Sequence, residues 1–352
     1  MADDTDNDSI FLEERNADDS WSFIARHDPG MTRDELLEYF RERIGRLWKG
    51  LPERPRNVRD LGKYALTFAA LTQLLTPDAP EIMDYLRMGA RGIAAAAARC
   101  IPGGGPVRVE LGRFGPIELP PIKDLATEFG TPGYIERNFE FTDSGLIETS
   151  EPTEVDLGLP RPDVSLREIV FAYHAAFATD DQPALQLLAD VPMDLFADRP
   201  PSVEERAYML SHARGLQLIA RGDVAGRKFL FEAINGSNSP EMDEEGRAYA
   251  IFRVSPEIEL TLLAGQSDQQ VAADGTNLPT FDQSLRNALV MHRRYWRDFE
   301  QNPGESQTHD PDGFIALGPL AWAAMRYRMG LPVNVTSDYL PRSVIEGRGR
   351  PA

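Results

Sequence analysis

The sequence predicts a mostly α-helical fold, a multi-helix bundle or an irregular α-solenoid, with one small β-hairpin near 106–120. Three observations carry this. Helix-opening pairs recur along the chain: Thr32 with Glu35, Asp78 with Glu81, Ser165 with Glu168, Ser202 with Glu205, and Thr280 with Gln283. In such pairs a side-chain oxygen accepts from an open amide of the first turn while the residue three positions on reaches back. Apolar residues after these pairs repeat at helical period, whereas clear alternation is confined to one short stretch.

Taken in order, Leu36, Leu37, Phe40, Ile44, Leu47 and Trp48 form one face of a first helix, which Pro52 and Pro55 stop. A second helix over 58–75 carries Leu61, Ala65, Phe68, Leu71 and Leu75. Pro80 sits in the first turn of a third, alanine-rich helix to about Arg99, whose small residues let a neighbour come close. Gly103 to Gly105 end it. Val107, Val109 and Leu111 then alternate with polar residues, Gly112 to Gly115 make a turn, and Ile117 and Leu119 alternate again. Residues 121–162 are rich in Pro, Gly, Asp and Glu without a sustained period, and read as a long loop or linker.

Beyond it, Ile169, Val170, Tyr173, Ala176 and Phe177 line a helix face, and a shorter helix follows near 183–190. The helix opened at Ser202 runs to Arg221, Gly222-Asp223 breaks it, and another spans about 224–234. The segment 246–265 is ambiguous, because Ile258, Leu260 and Leu262 alternate while Leu263 and Ala264 suit a helix. A helix from Thr280 to about Phe299 and a last one over 314–329, stopped by Gly330, complete the reading. The organisation expected is an acidic mobile tail over 1–20, a helical subdomain with its hairpin over 21–120, the linker, and a helical domain over 163–346.

Charge is the compositional outlier. With 56 acids against 37 bases, the formal net charge is −19. Such a surface repels nucleic acid and anionic lipid and attracts basic partners. Lysine occurs only at Lys49, Lys63, Lys123 and Lys228, so nearly all the positive charge is arginine. The single cysteine, Cys100, can form no internal disulfide. No signal-like N-terminus and no apolar run of membrane-spanning length occur, which fits a cytoplasmic protein.

Catalytic and cofactor patterns are missing. The five histidines, His27, His174, His212, His292 and His309, stand in no recognisable catalytic context, and neither a nucleophile elbow nor metal-ligand spacing is found. Gly103-Gly104-Gly105 is followed by Pro-Val-Arg, which is no phosphate loop. No cofactor, metal or enzymatic activity is expected. Gly215, Leu218, Gly222 and Phe231 fall loosely near tetratricopeptide positions, which supports a helical adaptor of solenoid type as the second reading. An enzyme with a site around His174 or His212 is the third.

The most distinctive stretch is 313–341: an alanine-rich helix, the Gly330 stop, a strand-like Val333–Val335, then Ser337-Asp338-Tyr339-Leu340-Pro341. It resembles the end of the immunity protein 49 family of bacterial polymorphic toxin systems, and the earlier element order is compatible over roughly 30–345. The resemblance implies a mostly helical protein that neutralises a cognate toxin by binding it, with no catalytic residues to carry over. A basic toxin surface would be steered by the acidic charge. Tyr295, Trp296 and Tyr339 are candidate toxin anchors if exposed and core if not. Asp338 and the acidic run Glu241, Asp243, Glu244 and Glu245 are candidate charged contacts.

Overall fold

The computed structural model describes residues 23–24, 34–122, 134–136, 139–142, 145–148, 153–155, 164–196, 207–237, 244–266, 279–298 and 307–348. The predicted tail lies outside the described residues, as do Thr32, Ser202 and Glu205 of two helix-opening pairs.

After β1 (Phe23–Ile24), three helices follow: α1 (Asp34–Gly50), α2 (Asn57–Leu75) and α3 (Glu81–Arg99). Phe40, Ile44 and Leu47 of α1 are buried as their spacing predicts. The α2–α3 crossing is set by small residues. A Cβ on Gly62 would lie 2.8 Å from the Ile93 amide nitrogen, and one on Gly92 only 2.8 Å from the Gly62 Cα. The hairpin is present as β2 (Val107–Glu110) and β3 (Pro116–Leu119), antiparallel with Val107 opposite Leu119. It is tied to the helices by Arg99, whose Nε donates to the Pro120 carbonyl at 2.8 Å, and by Phe114 stacked on Trp48.

The expected linker is partly strand. Within 121–162 lie β4 (Tyr134–Glu136), β5 (Phe139–Thr142), β6 (Gly145–Glu148) and β7 (Thr153–Val155). β5 pairs with β6 and β4 with β7, both antiparallel, giving one hairpin nested inside another. Their residues, Tyr-Ile-Glu, Phe-Glu-Phe-Thr, Gly-Leu-Ile-Glu and Thr-Glu-Val, lie among Pro, Gly, Asp and Glu without a sustained alternation, which is why the sequence concealed them.

The Ser165–Glu168 capping box forms as predicted and opens α4 (Leu166–Thr179), followed by α5 (Gln182–Asp190). Next come α6 (Ala207–Ala220) and α7 (Gly226–Ser237), a helical hairpin in which a Cβ on Gly226 would meet the Gly215 carbonyl at 2.7 Å. The ambiguous 246–265 segment is helical: α8 (Glu244–Tyr249) runs through a π-helical turn, Ala250–Val254, into α9 (Ser255–Leu263). The Thr280–Gln283 pair also forms, with reciprocal bonds of 2.8 and 3.3 Å, ahead of α10 (Phe281–Asp298). α11 (Leu317–Arg328) ends at Gly330, whose φ of +76° only glycine adopts freely. The strand expected at Val333–Val335 falls later, at β8 (Thr336–Ser337), which pairs in parallel with β1. A short α12 (Arg342–Ile345) follows.

Asp78 does not cap α3. That helix begins without a side-chain cap, and Asp78, at a left-handed φ of +62°, accepts instead from the backbone amides of Arg342 and Ser343 at the start of α12. Gln73 supports the same corner, accepting from the Asp78 amide at 3.0 Å and donating to the Asp338 carbonyl at 2.9 Å. α4 packs on both α3 and α11, so one apolar core runs from Phe40 through Trp322 to Ile345.

Candidate functional site

A cleft of about 220 Å³ opens where α2, the start of α4 and the 310–312 turn meet. α2 contributes Arg59, Lys63, Leu66 and Thr67; α4 and its cap contribute Ser165, Arg167, Glu168 and Phe171; the turn contributes Asp310 and Asp312. Leu66, Phe171 and Asp312 also line a smaller cavity behind it, whose further walls include Arg253, Ile315 and Leu317.

Glu168 is buried at the mouth and fully engaged. Arg59 Nε donates to both its oxygens at 3.1 and 3.2 Å, Lys63 Nζ lies 3.4 Å away, and the Ser165 amide donates at 2.8 Å. Burial raises its pKa, and these cations and bonds outweigh burial and hold it below the usual carboxylate range. Across the cleft Arg167 Nη2 lies 3.6 Å from Asp312, and its guanidinium covers the Phe171 and Tyr249 rings. Burial and the adjacent Asp312 charge push Asp310 up to about 7.

Arg253 lines the smaller cavity. It sits in the π-helical turn, a distortion that re-aims side chains and recurs at functional positions. Only 3% of it is exposed, and its guanidinium carbon lies within 5.8 Å of the ring centroids of Phe171, Tyr249, Tyr295 and Trp296. Glu257 lies one turn on, 3.8 Å from Arg253 Nε. Neither Nε nor Nη1 of Arg253 makes a hydrogen bond among the described residues.

Deeper still, His174 and His212 face each other with ring centroids 5.8 Å apart, and His174 Nδ1 lies 3.9 Å from Glu257. Both histidines are fully buried. Burial depresses both, His212 to about 3, and it raises Glu257 to about 7. The histidines are therefore neutral core residues at neutral pH. They line neither the cleft nor the cavity behind it. Among the described residues no group of three or more His, Cys, Asp or Glu side chains is placed to hold a metal ion.

The predicted aromatic anchors need correcting. Tyr295, Trp296 and Tyr339 are all buried, so they are core, because Tyr295 and Trp296 wall the Arg253 cage and Tyr339 packs edge-on against His292. Asp338 is half-buried beside the α2–α3 corner. Glu244 and Glu245 start α8, while Glu241 and Asp243 lie outside the described residues. The cleft escaped sequence reading because its residues come from three distant segments. Its only local signal was the Ser165–Glu168 pair, which reads as a cap alone.

A family model described as Immunity protein 49 matches residues 145–344, more than half of the chain. The chain belongs to the immunity protein 49 family. No curated protein and no solved structure matches it. Immunity proteins are in general binding proteins and not enzymes. The immunity protein 49 match supplies α4 through β8 and the Asp310–Asp312 turn, whereas α1 to α3 precede it. The cleft therefore straddles the boundary, with Arg59 and Lys63 outside the matched region and Glu168 and Asp312 inside. No helix among the described residues is long and apolar enough to cross a membrane.

Proposed function

We propose that the protein neutralises a cognate bacterial toxin by stoichiometric binding, without turnover, in the cytoplasm. The observation that carries this is the family match over 145–344. The charge of −19 supports a toxin with a basic surface, since opposite fields accelerate encounter and disfavour nucleic acid as a partner. On this reading the acidic run over 241–245, whose last two residues open α8, and Asp338 beside the α2–α3 corner contribute charged contacts.

The test is co-expression with the toxin-like product of the adjacent gene, followed by purification and assay of the toxin. A one-to-one complex that abolishes toxin activity and weakens as salt rises is the expected result. A tight complex that leaves the toxin fully active would sink the reading. An adaptor of solenoid type fits less well. In a linear array each unit touches only its neighbours, whereas α11 packs on α4 about 150 residues earlier, as the bonds from Arg328 to the Phe177 and Ala178 carbonyls show.

A further inference from the structure

The geometry points to a carboxylate-binding site formed by the cleft between α2 and α4 and the small cavity that adjoins it, with Arg253 lining the cavity and Arg59, Lys63 and Arg167 lining the cleft.

A guanidinium is an obligatory donor that cannot shed its proton, and leaving its N–H groups unpaired away from water is costly. Arg253 leaves Nε and Nη1 without hydrogen bonds although it is almost wholly buried, and it lines the cavity that continues from the cleft. The four aromatic rings around it hold the cation through their faces, and none of them accepts from Nε or Nη1. Glu257 is too far for a hydrogen bond at 3.8 Å and is pushed towards its neutral form. An anionic acceptor entering from the cleft would complete the arrangement.

The local charges select its size. Four cations, Arg59, Lys63, Arg167 and Arg253, face the two carboxylates Glu168 and Asp312, while Asp310 and Glu257 are each raised to about 7 and so are each partly protonated at neutrality. The surplus is small and positive, which suits a singly charged group better than a phosphate dianion. Leu66, Phe171, Ile315 and Leu317 make the inner wall apolar, so the group fits best on a short aliphatic stem. An aspartate or glutamate side chain, a chain-terminal carboxylate, or a free short-chain acid shares that chemistry.

The site is formed by this chain's own residues, so it is tested first on the protein alone. Propionate is titrated at constant ionic strength against sodium chloride, and tryptophan emission and Tm are followed. Trp296 reports because its ring lies 5.3 Å from the Arg253 guanidinium carbon, and the signal is assigned by its loss in Trp296→Phe. The expected result is a saturable emission change and a rise in Tm that chloride does not reproduce. Lys63→Met, an exposed change that keeps the fold, weakens binding roughly threefold, as loss of one exposed ion pair implies. Arg253→Met weakens it by roughly tenfold or more if that variant folds. No response to propionate beyond that to chloride, or an unchanged affinity in Lys63→Met, overturns the proposal. Repeating the titration on the toxin complex separates the sources. A blocked response assigns the carboxylate to the partner protein, and a retained one assigns it to a free acid.

Discussion

Glu168 and Glu257 are both buried and both beside an arginine, yet their ionisation is driven in opposite directions. Glu168 falls below the carboxylate range while Glu257 rises to about 7. The difference is contact. Glu168 accepts bonds of 2.8 to 3.2 Å from Arg59 and the Ser165 amide with Lys63 close by, whereas Glu257 has Arg253 at 3.8 Å and a neutral His174 at 3.9 Å. Proximity of opposite charge does not offset lost hydration unless donors reach the oxygens. One helix, α4, thus carries a carboxylate saturated with donors at the cleft and a neutral histidine facing an electrostatically unfinished interior.

The largest test of that contrast is the pH dependence of Glu257→Gln. A carboxyl whose folded pKa is raised contributes stability that is present below about 4.5 and lost as pH rises through about 7. His212 acts oppositely: its depressed value means stability present above about 6.5 and lost as pH falls through about 3. Between these limits the two offset each other in the wild type. Glu257→Gln should therefore gain about 3 kcal/mol relative to wild type between pH 4.5 and 8 in urea unfolding. An unchanged difference across that range would show that Glu257 is already satisfied in the native state.

Breaking the mouth comes next. Arg59→Met leaves Glu168 with Lys63 and the Ser165 amide and should cost about 2 kcal/mol at pH 7, less than for a fully buried pair because the cleft admits water. The loss should shrink as pH falls below the usual carboxylate range and Glu168 takes up a proton. A loss that persists there would point to packing of the arginine stem instead. The smallest effect is expected for Lys63→Met, about 0.5 kcal/mol, since half of the lysine is exposed and its pair is screened.

What was legible in the sequence follows a physical rule. Ser165 with Glu168 and Thr280 with Gln283 were readable because both partners lie within one turn of the backbone they satisfy. Asp78 shows the same pattern but was read wrongly, because its partners are 264 and 265 residues away and no local pattern encodes them. Alternation revealed β2 and β3 because one face of β2 is buried, while the nested strands over 134–155 gave no comparable signal. The aromatic run Tyr295-Trp296 was noticed for its chemistry, but only the assembled fold shows those rings enclosing Arg253. The cleft unites residues 59, 63, 167, 168, 310 and 312, a set that no window of sequence contains.

The Asp78 corner also sets a schedule for birth at the ribosome. Its acceptor is complete as soon as α2 and α3 have emerged, but the amides it receives belong to residues translated 264 positions later. At about 5–20 residues per second, the corner waits roughly 13 to 53 seconds for them. During that interval the α2–α3 hairpin must persist on its own glycine-tight crossing, with α12 and the β1–β8 bridge still to come. Closure of the molecule is thus a late event that joins the earliest helices to a segment made long after them.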